Sequence, residues 1–367
     1  MSETKQGSST KRIFGIAGAF VAWVIGSGFA TGQEILQFFT SYGYASYGVV
    51  IINLIGFLVL GPMLLGTGFE HREEVGFDHF RYFCGPKLGA FYSWLIPVTL
   101  VLVMAVLISG AGATLSEYYG LNHYAGAALM AVMVLAAYTA GFERLVKIVG
   151  FIGPSIIAFT LLVGVITVIR DFDQIGQAGA YAAMLAEHHS SPNWALSAVL
   201  YVSYNFLCGS FYYTALGKTA CTKREAEVGA IVGTGALILA IAVTNTAILT
   251  NAGDAASLAI PTLFLAKKIS FVLGAVFSIF LIMGIFSSCS AMMWTVCTKF
   301  TSEGTKANRI FSVCLAVGTF LLGLLPFSRL IGVFYPFIGY SGLLFIACAV
   351  HRTIQEKQWQ KSSEQMR

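Results

Sequence analysis

Residues 26–34 read Gly26-Ser27-Gly28-Phe29-Ala30-Thr31-Gly32-Gln33-Glu34, in the middle of an apolar run that covers about 13–40. Each glycine costs a helix about 1 kcal/mol relative to alanine, so three of them make this stretch weak as a continuous helix. Two readings stand. Gly28 and Gly32 have the Gly-xxx-Gly spacing that lets two membrane helices approach closely. Alternatively the helix is interrupted, and its freed carbonyls and N–H groups face protein or a water-filled cavity, as they must inside a bilayer. Glu34 follows about one turn on and is the only acidic residue lying well inside a span. An ionisable group at such depth is costly to keep and marks a functional position by default. It could meet a substrate amine, carry a coupling proton, or tie the outer half of the span to a polar neighbour.

Composition decides the class around that stretch. Hydrophobic residues make up 57% of the 367 residues and charged residues 11%, against about 25% charged in ordinary globular chains. Thirty-nine glycines and 29 phenylalanines are residue types that membrane helices use freely. A freely diffusing enzyme and a nucleic-acid binder are therefore excluded, and the net charge of +5 speaks of topology. The seven cysteines form no CxxC pair, so a disulfide framework is not expected. The six histidines show no HExxH spacing. Gly217-Lys218-Thr219 resembles the end of a phosphate loop, but the glycine that motif needs is Tyr212.

A hydrocarbon core takes roughly 20 apolar residues per helix. Ten segments meet that length: about 13–40, 46–69, 88–116, 121–140, 145–169, 194–217, 228–250, 269–298, 308–325 and 330–350. The first follows a polar, basic start without a small-residue cleavage site and is expected to be a retained helix. With the N-terminus in the cytoplasm, only Arg170, Lys267, Lys268 and Arg329 fall outside, and the other 18 of 22 Lys and Arg fall inside. The expected plan is an all-α polytopic membrane protein of ten transmembrane helices with both ends cytoplasmic. It divides into an arm (1–12), a first five-helix repeat (13–170), an outer connection (171–193), a second repeat (194–350) and a tail (351–367). Five is odd, so the two halves must run in opposite senses, an arrangement common in alternating-access transporters.

Span 6 occupies the position of span 1 in the second half, and its middle reads Ser203-Tyr204-Asn205-Phe206-Leu207-Cys208-Gly209-Ser210. Polar, glycine-bearing stretches in corresponding helices point to paired breaks and a binding site at the bilayer midplane. Helix N-termini there would present partial positive charge to a carboxylate. The candidate substrate-binding residues are accordingly Ser27, Gly28, Thr31, Gly32, Glu34, Ser203, Tyr204, Asn205 and Phe206. Span 8 adds Gly284-Ile285-Phe286-Ser287-Ser288, whose hydroxyls either ligate a cation or bond their own helix. No nucleophile–base pair or metal cluster lies in the spans, so no catalytic residue is assigned. Glu117 and Asp254 lie near outer ends, where a solvated rim is expected.

The string from Gly26 to Glu34 closely resembles the span-1 signature of the YkvI-type amino-acid permease family. That family is placed in the amino acid–polyamine–organocation superfamily, whose members share the LeuT fold of five plus five inverted helices. The resemblance implies broken helices 1 and 6 and a secondary active transporter in the cell membrane, moving a small amino acid or related amine. A non-transporting sensor derived from a transporter is the alternative. A second likeness, to neurotransmitter:sodium symporters, rests on Gly141-Phe142-Glu143-Arg144 with Lys147 and Pro154. It implies sodium as coupling ion, held by carbonyls of Gly26, Phe29 and Gly284 and hydroxyls of Ser287 and Ser288. No organic cofactor and no nucleic-acid partner are implied. Two departures stand out: Leu36 replaces the outer-gate arginine, and the residue beside Gln33 is the charged Glu34. Lys147 lies at the cytoplasmic end of span 5, whereas proton-coupled relatives carry a mid-span lysine. That difference favours sodium, with a proton on Glu34 as the alternative.

Overall fold

The computed structural model describes residues 10–140 and 143–365, with side chains left aside at 27, 140, 143–154, 357 and 359–365. Apart from turns and connections the described residues are helical, and they contain no strand. The first span comprises α1 (Thr10–Val24), α2 (Ser27–Ala30) and α3 (Gln33–Phe38). A 3₁₀ stretch, Thr40–Ala45, leads into α4 (Ser46–Glu70). Then come α5 (His79–Tyr119), α6 (His123–Ala140) and α7 (Glu143–Asp171). The connection that follows holds a 3₁₀ stretch, Phe172–Tyr181, and α8 (Ala182–Ala186). The second half runs through α9 (Trp194–Lys218), α10 (Lys223–Leu249), the short α11 (Ala252–Ala255) and α12 (Pro261–Ile269). It finishes with α13 (Phe271–Phe300), α14 (Lys306–Leu322) and α15 (Phe327–Gln365).

By length and composition seven helical stretches can cross a bilayer, and 123–139 is a shorter apolar helix. The first span fails that measure because it is broken. Ile25 and Gly26 interrupt it once, and Thr31 and Gly32 interrupt it again, with Gly32 left-handed at φ 79°. Capping sets several boundaries: Asp78 accepts from the N–H groups of Phe80 and Arg81, Asn193 from Leu196, and Thr222 from Glu225. Helix α5 starts nine residues earlier than the predicted span, because Asp78 caps it there and Gly85 (φ 75°), followed by Pro86, bends the added turn away.

Polarity is turned inside out relative to a water-soluble fold. Ile51, Ile55 and Val59 on α4 and Leu129 and Val132 on α6 are exposed, whereas Asn53, Thr114 and Asn245 are buried. In lipid, apolar side chains face outward at no cost while polar groups seek partners within the protein. Helix α9 lies at the centre, packed on α4 and α15, and α5 packs on α6, α13 and α15. Small residues set the closest crossing: a Cβ at Gly217 would lie 2.0 Å from the Leu65 carbonyl oxygen, and one at Gly68 2.1 Å from that of Thr214. Phe20, Phe57, Phe206 and Tyr213 fill the adjacent core, with centroid separations of 4.8–6.3 Å.

The expected break in helix 6 is corrected by the structure: α9 is continuous from Trp194 to Lys218. Its polar residues bond carbonyls without opening the helix. Asn205 donates to Tyr201 O at 2.9 Å, Ser210 to Leu207 O at 2.9 Å and Thr214 to Ser210 O at 2.9 Å, all within α9. Gly209 serves close packing, since a Cβ there would lie 2.5 Å from Trp23 Nε1.

Candidate functional site

The site is built on the double interruption of the first span. Thr31 holds it locally: its hydroxyl donates to Gly28 O at 2.6 Å and accepts from Gln33 N at 3.4 Å. Gly32 N then donates to Phe29 O at 2.9 Å. The left-handed turn at Gly32 starts α3 in a new direction and brings the Glu34 side chain back over α2. A Cβ at Gly28 would lie 2.2 Å from Glu34 Oε1 and 3.2 Å from the Tyr335 hydroxyl, so only glycine leaves room for the carboxylate. Glu34 is 3% exposed, and its Oε2 accepts from the Tyr204 hydroxyl at 2.7 Å. The Tyr204 ring stacks on Tyr335, with centroids 4.8 Å apart and planes at 25°.

A cavity of about 830 Å³ runs from this carboxylate between α2, α5, α9, α13 and α15. Gly26, Gly28, Phe29, Glu34, Tyr204, Asn205, Ser287 and Ser288 all line it. Its far end is bordered by Asp78, His79 and Thr298 and by the exposed Trp294 and Lys299. On the opposite side of Glu34 the protein is closed. Thr262 on α12 donates its hydroxyl to Ala30 O and its N–H to Thr31 O at 3.3 Å. Glu117 is half-buried rather than rim-exposed and accepts from the N–H groups of Ala259 and Ile260 at 2.7 and 3.2 Å. Gln37 reaches Ser328 O at 2.7 Å, and Lys268 pairs with Asp171 at 2.9 Å.

Several sequence candidates lie away from this cavity. Thr31 is spent on its own turn, and Gly32 is covered by Thr262. Ser203 donates to Gly339 O at 2.7 Å and fastens α9 to α15. Phe206 is fully buried against Phe57 and Tyr213. Gly284 is buried outside the cavity lining, so the remaining candidate cation ligands are the carbonyls of Gly26 and Phe29 and the two serine hydroxyls. Each of those carbonyls already accepts one backbone hydrogen bond, from Ala30 N at 3.0 Å and Gly32 N at 2.9 Å, which leaves one lone pair apiece. Gly141 and Phe142, and the side chains of Ser27, Glu143, Arg144, Lys147 and Pro154 at the span 4–5 junction, lie outside the described residues.

The structure adds residues that sequence reading missed. Tyr335, 131 residues beyond Tyr204 in the chain, completes the aromatic wall, and Trp23 stacks on Tyr212 at 4.9 Å and 17°. Sixteen tyrosines spread along the chain give no local signal for which two meet. His79 also lines the cavity, with Nε2 3.0 Å from Ser210 Oγ; it falls in a predicted loop, where a histidine draws no notice.

No family model matches the chain. It is 22% identical over 347 residues to the uncharacterized membrane protein YkvI of Bacillus subtilis (strain 168), covering 94% of this chain and 96% of that one. It is 23% identical over 335 residues to YyaD of the same organism, covering 91% and 95%. Among solved structures it resembles MhsT in complex with L-phenylalanine, with a TM-score of 0.56, 15% identity and coverage of 95% and 93%. It also resembles a variant of the manganese transporter of Eremococcus coleocola, with a TM-score of 0.53, 14% identity and coverage of 92% and 77%. At this level of identity the likeness to these solved structures shows a shared fold. A broken first span over a central cavity is thus set in a LeuT-fold membrane protein that is similar to YkvI along nearly its whole length.

Proposed function

We propose that this chain is a secondary active transporter that moves a small amino acid or related amine by alternating access, coupled to a cation. The observation that carries the reading is the cavity itself, which reaches a buried carboxylate at the helix interruption and is open at one end and sealed at the other. Alternating access requires such a site, open to one side at a time. We read the helices as ten spans in two inverted sets of five, α1–α3 to α7 and α9 to α15. With 18 of 22 basic residues inside, both ends are cytoplasmic and the cavity mouth at Lys299 faces the cytoplasm. The conformation is then inward-open, with α12 forming part of the outer seal.

Sodium is the proposed coupling ion, held by the carbonyls of Gly26 and Phe29 and the hydroxyls of Ser287 and Ser288. Neutral oxygens can replace the hydration shell of a monovalent cation, and an ion that joins α2 to α13 in one conformation only would bias the equilibrium toward it. The bound L-phenylalanine of MhsT supports the substrate class. A divalent cargo such as manganese is less well matched, since among the described residues no three His, Cys, Asp or Glu side chains converge. Proteoliposomes provide the test. Sodium coupling predicts uptake that needs a sodium gradient, survives a protonophore at clamped potential, and is lost in Ser287→Ala/Ser288→Ala. Uptake driven by a pH gradient, indifferent to sodium and lost in Glu34→Gln, assigns the coupling to a proton instead. Neither uptake nor counterflow for any amino acid or amine would leave the sensor reading.

A further inference from the structure

Three features of the cavity's deep end bear on which charges it accepts. First, Glu34 is almost wholly buried there, and among the described residues its side-chain partner is the neutral Tyr204 hydroxyl. Among the described residues no Lys, Arg or His pairs with it. A carboxylate held away from water without a counter-charge is an unfavourable state that an arriving cation relieves. Second, two of the positive helix ends that a substrate carboxylate would seek are missing or taken. Helix α9 is continuous and offers no mid-membrane N-terminus, and Glu34 occupies the first turn of α3. Third, the surrounding wall is aromatic: Tyr204 and Tyr335 form a stacked pair, and Phe29 lines the same space. Ring faces attract ammonium groups and give a carboxylate nothing in return.

The basic side chains of the cavity lie elsewhere. Lys299 is twelve residues beyond Ser287 on the continuous helix α13, about 18 Å along its axis at 1.5 Å per residue. His79 stands at the same far end and engages Ser210. A zwitterion whose amine met Glu34 would therefore hold its own carboxylate beside Glu34 and out of reach of the basic side chains that line the cavity.

From this geometry we propose that the preferred ligand is a small organic monocation, an amine without a carboxylate, whose ammonium pairs with Glu34 between Tyr204, Tyr335 and Phe29. The proposal rests on the transporter reading above and narrows its substrate class.

Matched probes separate charge from shape. Purified full-length protein is titrated with phenethylamine, L-phenylalanine and L-phenylalanine methyl ester, and with butylamine against norvaline, with binding followed by intrinsic tryptophan fluorescence and ligand-induced thermal stabilisation. The amine and the ester, both without a free carboxylate, are expected to bind at least tenfold more tightly than the parent amino acid, or about 1.4 kcal/mol. Glu34→Gln is expected to abolish this preference, and Glu34→Asp, which keeps the charge, to restore most of it. If Glu34→Gln does not fold, the amine–ester–acid comparison on the wild type decides alone. Tighter binding of the amino acids, binding of no amine, or an unchanged preference in Glu34→Gln would each overturn the proposal. Counterflow of an amino acid combined with no amine binding would sink this inference yet leave the transporter reading intact. Amine binding without any counterflow would do the reverse.

Discussion

Replacing Gly32 by alanine tests whether the second interruption of the first span is held by a glycine-only backbone and by packing against α12. Gly32 sits at φ 79°, where an L-residue with a Cβ pays roughly 1–2 kcal/mol. The added Cβ would also lie 2.7 Å from Thr262 Cγ2 and 3.2 Å from Thr262 N. Overpacking of that kind costs about 1–3 kcal/mol, so Gly32→Ala should lose roughly 2–5 kcal/mol in all. Thr262→Ser removes the offending methyl and retains the hydroxyl that donates to Ala30 O; alone it should cost about 1 kcal/mol of buried methyl. The two changes should not add. With the methyl gone, the double variant escapes the Cγ2 overlap and retains only the backbone penalty and the closer approach to Thr262 N. It should then be about 1 kcal/mol or more better than the sum of the single losses. Thermal unfolding of the four purified proteins in one detergent reads this directly. A Gly32→Ala protein that melts with the wild type would refute the left-handed turn. Strict additivity would refute the packing of α12 on it.

Two further substitutions separate the site from the scaffold. A Cβ at Gly28 would lie 2.2 Å from Glu34 Oε1, the mobile end of a side chain. Gly28→Ala should therefore shift the carboxylate at a cost of about 1–2 kcal/mol in stability and lower substrate counterflow out of proportion to that loss; equal effects on both would show that Glu34 lies elsewhere. At Gly217 a Cβ would lie 2.0 Å from the Leu65 carbonyl oxygen, which is backbone and cannot swing aside. Gly217→Ala should separate α9 from α4 and cost more than about 3 kcal/mol, read as loss of the monodisperse peak in size-exclusion chromatography; wild-type behaviour there would refute the close crossing.

The polarity of the chain and the weakness of its first span were both legible without coordinates. An excess of apolar residues with few charges can be satisfied only in lipid, and three glycines around two hydroxyls cannot sustain a helix cheaply at mid-depth. Glu34 stood out for the same reason, because a carboxyl inside a span has no cheap solvent. Span 6 shows where such reasoning stops. Serine and asparagine in an apolar helix can mark a break or can bond carbonyls of the intact helix, and the local sequence is the same in both cases. In α9 the second outcome holds: Asn205 and Ser210 use carbonyls of α9 itself, while Ser203 finds Gly339 on α15. The site's aromatic wall was equally hidden, because Tyr204 and Tyr335 meet only through the packing of α9 on α15. Local composition fixes what a residue needs, namely a partner, a cavity or lipid. Which partner it finds is set by helices far apart in the chain, and that only the tertiary structure decides.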